Sequence, residues 1–226
     1  MYYTSEIIMF LCMLILPLIA SAAVQGTFRK YSSVHSSRGI TAEQAARMIL
    51  DSHGLYHIRI DRVGGSLSDH YSPNENVIRL SDSVYGSTSV AAIGVAAHEC
   101  GHAIQHAEEY GPIVVRSKLV PVTNFCSRFW YLAFLLGVLL FEVAPFLIYV
   151  GIAMFAAVVL FQIVTLPTEF DASRRALETV ESYGILDITE VPQAKKVLTA
   201  AAMTYVTSLA VSLMQLLRLL SRARRN

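Results

Sequence analysis

A long apolar run, residues 129–166, constrains the fold of this chain more than any other feature. Its main interruptions are Glu142, Pro145 and Gln162, and it is about twice as long as the ~20 residues that one membrane-spanning helix needs. A carboxylate costs on the order of 3 kcal/mol at the bilayer centre and little at the interface, so Glu142 and Pro145 are expected to mark a turn. The run therefore predicts a hairpin of two transmembrane helices, whose first arm extends back to about Val122.

The composition agrees with a membrane protein. The 226 residues are 54% hydrophobic and only 15% charged, and the mean hydropathy is +0.48, which is high for a soluble domain of this size. Residues 7–24 are long and apolar enough for a first span. The small residues at 20–23 also resemble a signal-peptidase site, but Glu6 and the lack of a basic residue before it favour an uncleaved anchor.

The C-terminal apolar segment, residues 198–220, leaves two alternatives. It is long enough for a further span, but polar side chains recur in it at helical spacing and favour a helix packed at the membrane surface or against the domain. These side chains are Thr204, Ser208, Ser212 and Gln215.

A second informative feature is the motif His98-Glu99-Cys100-Gly101-His102, in an apolar segment that Ser87, Thr88 or Ser89 would cap as a helix. Histidines four residues apart on a helix lie about 6 Å apart along its axis, so both rings can reach one metal ion. Catalytic zinc takes three protein ligands and a water, whose proton a neighbouring carboxylate can accept. The motif predicts His98 and His102 as ligands and Glu99 as general base; an ordinary helix carrying these residues by chance is the alternative.

The third zinc ligand must come from elsewhere. His106 lies roughly 12 Å along the helix axis from His98, so it is expected beside the metal rather than on it. Glu169 is the preferred ligand. It follows Pro167, which predicts the first turn of a helix. The alternative role for Glu169 is that of a simple negative charge at the N-terminus of that helix. The two predicted spans return Glu169 to the side of the membrane that holds the histidines. Asp171 is expected to orient a ligating histidine through its second ring nitrogen.

Positive charges predict the sidedness. The positive-inside rule places the catalytic segment in the cytoplasm and the N-terminus outside, because the basic residues follow the first span and flank the hairpin; they are Arg29, Lys30, Arg38, Arg116, Lys118 and Arg128. A fourth span would put the basic tail outside, against the rule; its arginines are Arg222, Arg224 and Arg225.

Other features are less informative. The three cysteines offer no disulfide framework, and Cys100 is expected to pack rather than to bind the metal. A net charge of +1 gives no signal for nucleic-acid binding. Residues 76–80 predict a short strand, which either holds an extended peptide by edge pairing or is one strand of a small sheet.

Three segments together carry a family resemblance: residues 67–80, 94–106 and 166–176. In them the chain resembles the YugP-type neutral zinc metallopeptidases of bacteria, and the resemblance spans nearly the whole chain. It is more distantly similar to HtpX-like and CAAX prenyl membrane proteases, whose later motif opens with the glutamate that is the third zinc ligand; the resemblance implies that role for Glu169. Those proteases usually carry an aspartate four residues later, where this chain has Ser173, and Asp171 is a candidate substitute.

These observations predict a mainly α membrane protein with a zincin-like metal-binding helix, a small β element and three or four transmembrane helices. The expected organisation is an N-terminal anchor (1–25), a zinc-peptidase segment (26–121), a transmembrane hairpin (122–166) and a segment with the third ligand and a C-terminal helix (167–226). The expected function is a zinc-dependent endopeptidase with one Zn²⁺ per chain, which acts at the lipid bilayer on a peptide or protein substrate.

Two other functions remain open at this point. One is a non-catalytic membrane scaffold with a structural zinc, for which His70 or His106 would be the fourth ligand. The other is an ion or proton carrier built on Glu142, which needs more polar residues inside the spans than this chain offers.

Overall fold

The computed structural model describes residues 2–223, so Arg224 and Arg225, on which part of the sidedness prediction rests, lie outside the described residues. The chain is mainly helical with one small sheet, as predicted. The elements in order are α1 (Tyr2–Ser32), α2 (Ala42–Ser52), β1 (Arg59–Val63), β2 (His70–Ser72), β3 (Val77–Ser81), α3 (Val90–Ala107), α4 (Gly111–Leu139), α5 (Phe146–Ser182) and α6 (Val191–Ala223).

Helices α1, α4, α5 and α6 are each long and apolar enough to cross a membrane. The predicted hairpin consists of α4 and α5, and the turn between them contains Glu142 and Pro145. A Cβ atom on Gly151 would lie 2.7 Å from the backbone nitrogen of Phe134, so this glycine lets the two helix backbones approach closely. The first arm begins at Gly111, well before the predicted start near Val122, because the more polar segment 111–121 continues the same helix.

Residues 198–220 were predicted as a helix packed at the membrane surface or against the domain, with a further span as the alternative. The structure favours a fourth span, because α6 is long and apolar enough for one and packs along the candidate spans α1 and α5. Leu219 of α6 packs in one cluster with Ile148 of α5, and Arg218 Nε donates a 3.0 Å hydrogen bond to Glu6 of α1. Because Ile148 is near the start of α5, α6 runs antiparallel to α5 as far as the hairpin turn. At least part of the polar stripe is satisfied inside the helix, since the Thr204 hydroxyl donates to the Ala201 carbonyl.

The sheet lies beside the metal-motif helix α3. Its strand order is β1-β3-β2, with β1 parallel and β2 antiparallel to β3. Residues 76–80 largely coincide with β3, which is the central strand with both edges paired. Of the two alternatives left open for this strand, the structure therefore supports one strand of a small sheet and not edge pairing with a peptide. The edge strand beside α3 is β2, whose Tyr71 ring contacts the ring of His106.

Helix α3 lies in the centre of the domain core, where small residues allow close contacts on several sides. Ser89 caps it by accepting a hydrogen bond from the Ala92 amide. A Cβ atom on Gly101 would lie 2.6 Å from the carbonyl oxygen of Ala172 on α5, so α5 packs directly against the α3 backbone. The Cys100 thiol donates to the Ala46 carbonyl of α2, and burial raises its pKa, which agrees with a packing role.

Candidate metal centre

The structure brings His98, His102 and Glu169 together at the contact between α3 and α5. Their candidate ligand atoms all lie within 4.8 Å of one another. The Oε2 atom of Glu169 is 3.3 Å from Nε2 of His98 and 3.5 Å from Nε2 of His102. The close approach at Gly101 places one turn of α5 against the histidine face of α3 and thereby sets this geometry.

Glu169 reaches this position from the middle of a helix. The prediction that a helix begins after Pro167 is wrong, because α5 runs without a break from Phe146 to Ser182. A proline inside a helix removes one backbone hydrogen bond, and in membrane helices neighbouring helices and hydroxyl side chains can compensate for it. The carbonyl that loses its amide donor at Pro167 is that of Ile163, four residues earlier. The nearby Thr165 and Thr168 hydroxyls donate to the carbonyls of Phe161 and Val164.

A hydrogen-bond chain determines which nitrogen of His102 carries the proton. Gln105 Nε2 donates to the Thr168 carbonyl at 2.8 Å and to Asp171 at 2.9 Å, so its Oε1 atom is an acceptor. Nδ1 of His102, 3.1 Å from that oxygen, must therefore carry the proton and donate it. When the His102 ring is neutral, its Nε2 atom has a free lone pair that faces the Glu169 carboxylate.

The other histidine is held by Ser173 of α5. The Oγ atom of Ser173 lies 3.1 Å from Nδ1 of His98. This contact orients the His98 ring so that Nε2 faces Glu169, as supporting hydrogen bonds commonly do for metal-binding histidines.

Asp171 was predicted to contact a metal-binding histidine directly, but it contacts Gln105, which in turn contacts His102. Its carboxylate accepts the hydrogen bond from Gln105 and forms ion pairs with Arg174 and Arg175. The contact with the histidine that was predicted for Asp171 is made by Gln105, because the longer amide side chain bridges the gap between α3 and α5. Asp171 therefore holds the residue that holds His102.

The chemistry of the three side chains fits a metal cation. Glu169 Oε2 is buried and has no hydrogen-bond partner among the described residues, and Nε2 of His102 points a lone pair at it. Two electron-rich atoms in a buried site repel each other and are costly unless a cation lies between them. Two imidazole nitrogens and one carboxylate oxygen form the donor set of catalytic zinc, which leaves one coordination position free.

Several further side chains surround the three candidate ligands. Glu99 is 8% exposed and lines two clefts that reach the site, together with Tyr205 of α6. Arg116 of α4 lies 3.8 Å from Glu169, measured from Nη2 to Oε1. His106 lines one of these clefts, and partial burial and the neighbouring positive charges lower its pKa.

Sequence reasoning missed Gln105, Arg116 and Tyr205. Gln105 had a detectable signal, because a polar side chain one turn after His102 in an otherwise apolar helix needs a buried partner. Arg116 and Tyr205 are brought in by α4 and α6, and nothing in their local sequence pointed to the metal motif.

Comparisons with known proteins agree with this arrangement. The family described as "Putative neutral zinc metallopeptidase" matches residues 6–224. The chain belongs to this family. A relative from Bacillus subtilis (strain 168), described as "Putative membrane protease YugP", is 48% identical over 199 residues, which are 88% of each chain. No solved structure matches the chain significantly.

Family membership and structure together support two general statements. The protein is a member of a zinc metallopeptidase family. Four of its described helices are long and apolar enough to cross a membrane, which agrees with the description of its relative as a membrane protease.

Proposed function

We propose that this protein is a membrane-embedded zinc endopeptidase. The observation that carries the proposal is the buried Oε2 atom of Glu169, which lacks a hydrogen-bond partner among the described residues and faces the Nε2 atoms of His98 and His102. In this proposal His98, His102 and Glu169 hold one zinc ion, and Glu99 lies beside it in a cleft.

The roles of the side chains follow from their positions. Held by His98, His102 and Glu169, a zinc ion would lower the pKa of a coordinated water to about 7 and would polarise a carbonyl group. The Glu99 carboxylate accepts the proton of the attacking water and passes it to the leaving amine. Gln105 and Ser173 hold the two histidine rings in the orientation that directs Nε2 toward the ion.

The substrate is proposed to be a peptide segment near the membrane surface. Glu169 lies 23 residues after the start of α5 at Phe146, which is roughly 34 Å of helix and slightly more than the ~30 Å hydrocarbon core. The metal site therefore lies close to one face of the bilayer. The basic residues around the first span and the hairpin support a cytoplasmic location for this face, whereas Arg222 at the end of a fourth span lies on the opposite face.

Metal analysis combined with a cleavage assay tests the proposal. The purified wild-type protein in detergent is expected to hold about one zinc per chain and to cleave unfolded casein, to lose activity with a chelator and to regain it with zinc. The Glu99→Gln variant should retain zinc but lose about 10²–10⁴-fold in turnover, because it cannot accept the proton. Cleavage by Glu99→Gln at the wild-type rate would exclude Glu99 as the base, and zinc without cleavage by the wild type would favour the scaffold function.

A further inference from the structure

Two clefts of different chemistry meet at the metal site, and five residues line both of them: Asp69, His98, Glu99, Glu169 and Tyr205. One has a volume of about 200 Å³, and we call it the apolar cleft after its side chains: Val24, Leu67, Val95, Leu198, Ala201 and Ala202. The other has a volume of about 300 Å³, and we call it the polar cleft; its wall includes His70, His106, Arg116 and Ser117.

The two clefts extend from the site in opposite directions along α3. Val95, in the apolar cleft, lies one turn before Glu99, whereas His106, in the polar cleft, lies one turn after His102. On helix α5 the apolar cleft extends toward the C-terminal end, because Ser173, one turn after Glu169, borders it. A peptide whose backbone crosses α3 at the site would therefore have one cleft on each side of that backbone.

The apolar cleft owes its space to small side chains. Ala201 and Ala202 are adjacent on α6 and leave room that larger residues would fill, while Val24 closes the wall from the N-terminal helix α1. Leu67 borders the cleft from a loop, is 38% exposed and has a positive φ of 56°, which is unfavourable for a leucine. An apolar ligand side chain in the cleft would cover this exposed leucine.

The polar cleft presents an arginine whose hydrogen bonding is incomplete. The Nε atom of Arg116 is buried and has no hydrogen-bond partner among the described residues. The guanidinium lies near only one side of Glu169, with Nη2 at 3.8 Å from Oε1. The Arg116 side chain is 31% exposed and lines the cleft, so a second carboxylate entering the cleft would meet the guanidinium group beside Glu169, and a carboxylate is the partner that arginine binds best.

We infer that the two clefts select peptide bonds between a large apolar residue and an acidic residue. Consecutive side chains of an extended peptide point to opposite faces, so the two residues that flank the cleaved bond can enter the two clefts at the same time. This inference rests on the proposed peptidase function and adds the substrate class. The apolar residue enters the cleft between α1 and α6, and the acidic residue binds Arg116.

A set of matched peptides tests the inference. The peptides share one sequence and differ only at the two central residues, Leu and Glu, Ala and Glu, or Leu and Lys, each pair in both orders. We expect the wild type to cleave one order of the Leu and Glu pair with kcat/KM at least tenfold above the matching Ala and Glu or Leu and Lys peptides. Fluorescence polarisation with the Glu99→Gln variant should show the same order of binding, independently of turnover.

Variants assign each preference to its cleft. Ala201→Phe, which fills the apolar cleft from α6, and Val24→Phe, which narrows it from α1, should each abolish the preference for Leu over Ala. Ala200→Phe, on the same helix but outside the lining of the cleft, should leave that preference intact. Arg116→Gln should abolish the preference for Glu over Lys, and its zinc content shows whether Glu169 still holds the metal.

The outcomes separate this inference from the peptidase function. Equal cleavage of all peptides by the zinc-loaded wild type would overturn the inference and leave the peptidase function standing. A zinc-loaded wild type that cleaves none of these peptides and no casein would overturn the peptidase function itself. If both variants of the apolar cleft fold and retain the preference for Leu, the apolar residue binds elsewhere and the inference is wrong.

Discussion

Gln105 Oε1 lies 3.1 Å from Nδ1 of His102, while the amide nitrogen of the same glutamine donates to the carbonyl of Thr168 on α5. One buried side chain thus joins a histidine of the metal motif to the residue immediately before Glu169. The glutamine determines that Nδ1 of His102 carries a proton, and it links the two helices that supply the candidate ligands.

We predict that Gln105→Ala weakens zinc binding by about 10–100-fold, the usual effect of losing a partner of a metal-binding histidine. The histidine would lose its acceptor, and either ring nitrogen could then carry the proton. Competition with a chromophoric chelator measures the change. Gln193→Ala, at the start of α6 and away from the site, is the control, and an unchanged zinc affinity of Gln105→Ala would show that the bond to His102 does not support the metal.

Replacement of the third ligand should have a larger effect. Glu169→Ala is expected to lower zinc content more than Gln105→Ala does, because it removes a donor atom rather than its support. Elemental analysis of the purified protein gives the stoichiometry. Glu178→Ala on the same helix, which removes an exposed ion pair with Arg174, should leave zinc content unchanged; full zinc occupancy in Glu169→Ala would identify another residue as the third ligand.

Gly101→Ala should separate the two helices of the site. Alanine has a higher helix propensity than glycine by about 1 kcal/mol, but its Cβ would lie 2.6 Å from the backbone oxygen of Ala172. A backbone carbonyl cannot move without shifting α5, so the clash is expected to cost about 1–3 kcal/mol or more and to displace Glu169. Both thermal stability and zinc content should fall.

The matched control for this prediction is Gly94→Ala. Its Cβ would lie 3.3 Å from the methyl group of Ala194 on α6, a contact that a small movement relieves. This variant should fold and bind zinc almost normally. Equal zinc content in Gly101→Ala and Gly94→Ala would contradict the importance of close contact between α3 and α5.

Sidedness is testable by cysteine labelling in intact cells. In a variant without Cys12, Cys100 and Cys126, a cysteine at exposed Val143 in the hairpin turn should react with a membrane-impermeant maleimide. A cysteine at exposed Tyr56 in the metal-site domain should react only after the cells are permeabilised, if that domain is cytoplasmic. The reverse pattern would place the metal site outside the cell.

The sequence predicted those helices and turns that the pattern of a single continuous segment is sufficient to define. The length and apolarity of residues 129–166 predicted the hairpin, and the placement of Glu142 and Pro145 at its turn is confirmed. The helix start after Pro167 was wrong because a proline inside a long apolar helix can be accommodated by its surroundings. The polar stripe of α6 could not predict whether this helix spans the membrane, because a threonine hydroxyl can donate its hydrogen bond to a carbonyl of its own helix.

The amino-acid sequence by itself determined that this chain is mainly helical with segments suited to a membrane and that His98, Glu99 and His102 share one helix, since length, apolarity and helical spacing are local properties. The family followed from the resemblance of three segments to known zinc metallopeptidases. Only the tertiary structure decided which partners hold the histidines, with Gln105 rather than Asp171 at His102 and Ser173 at His98. It also decided that α1, α4 and α6 supply walls of the two clefts. Hydrogen bonds and cavities of this kind depend on distances between residues far apart in the chain, and packing at glycines such as Gly101 sets those distances.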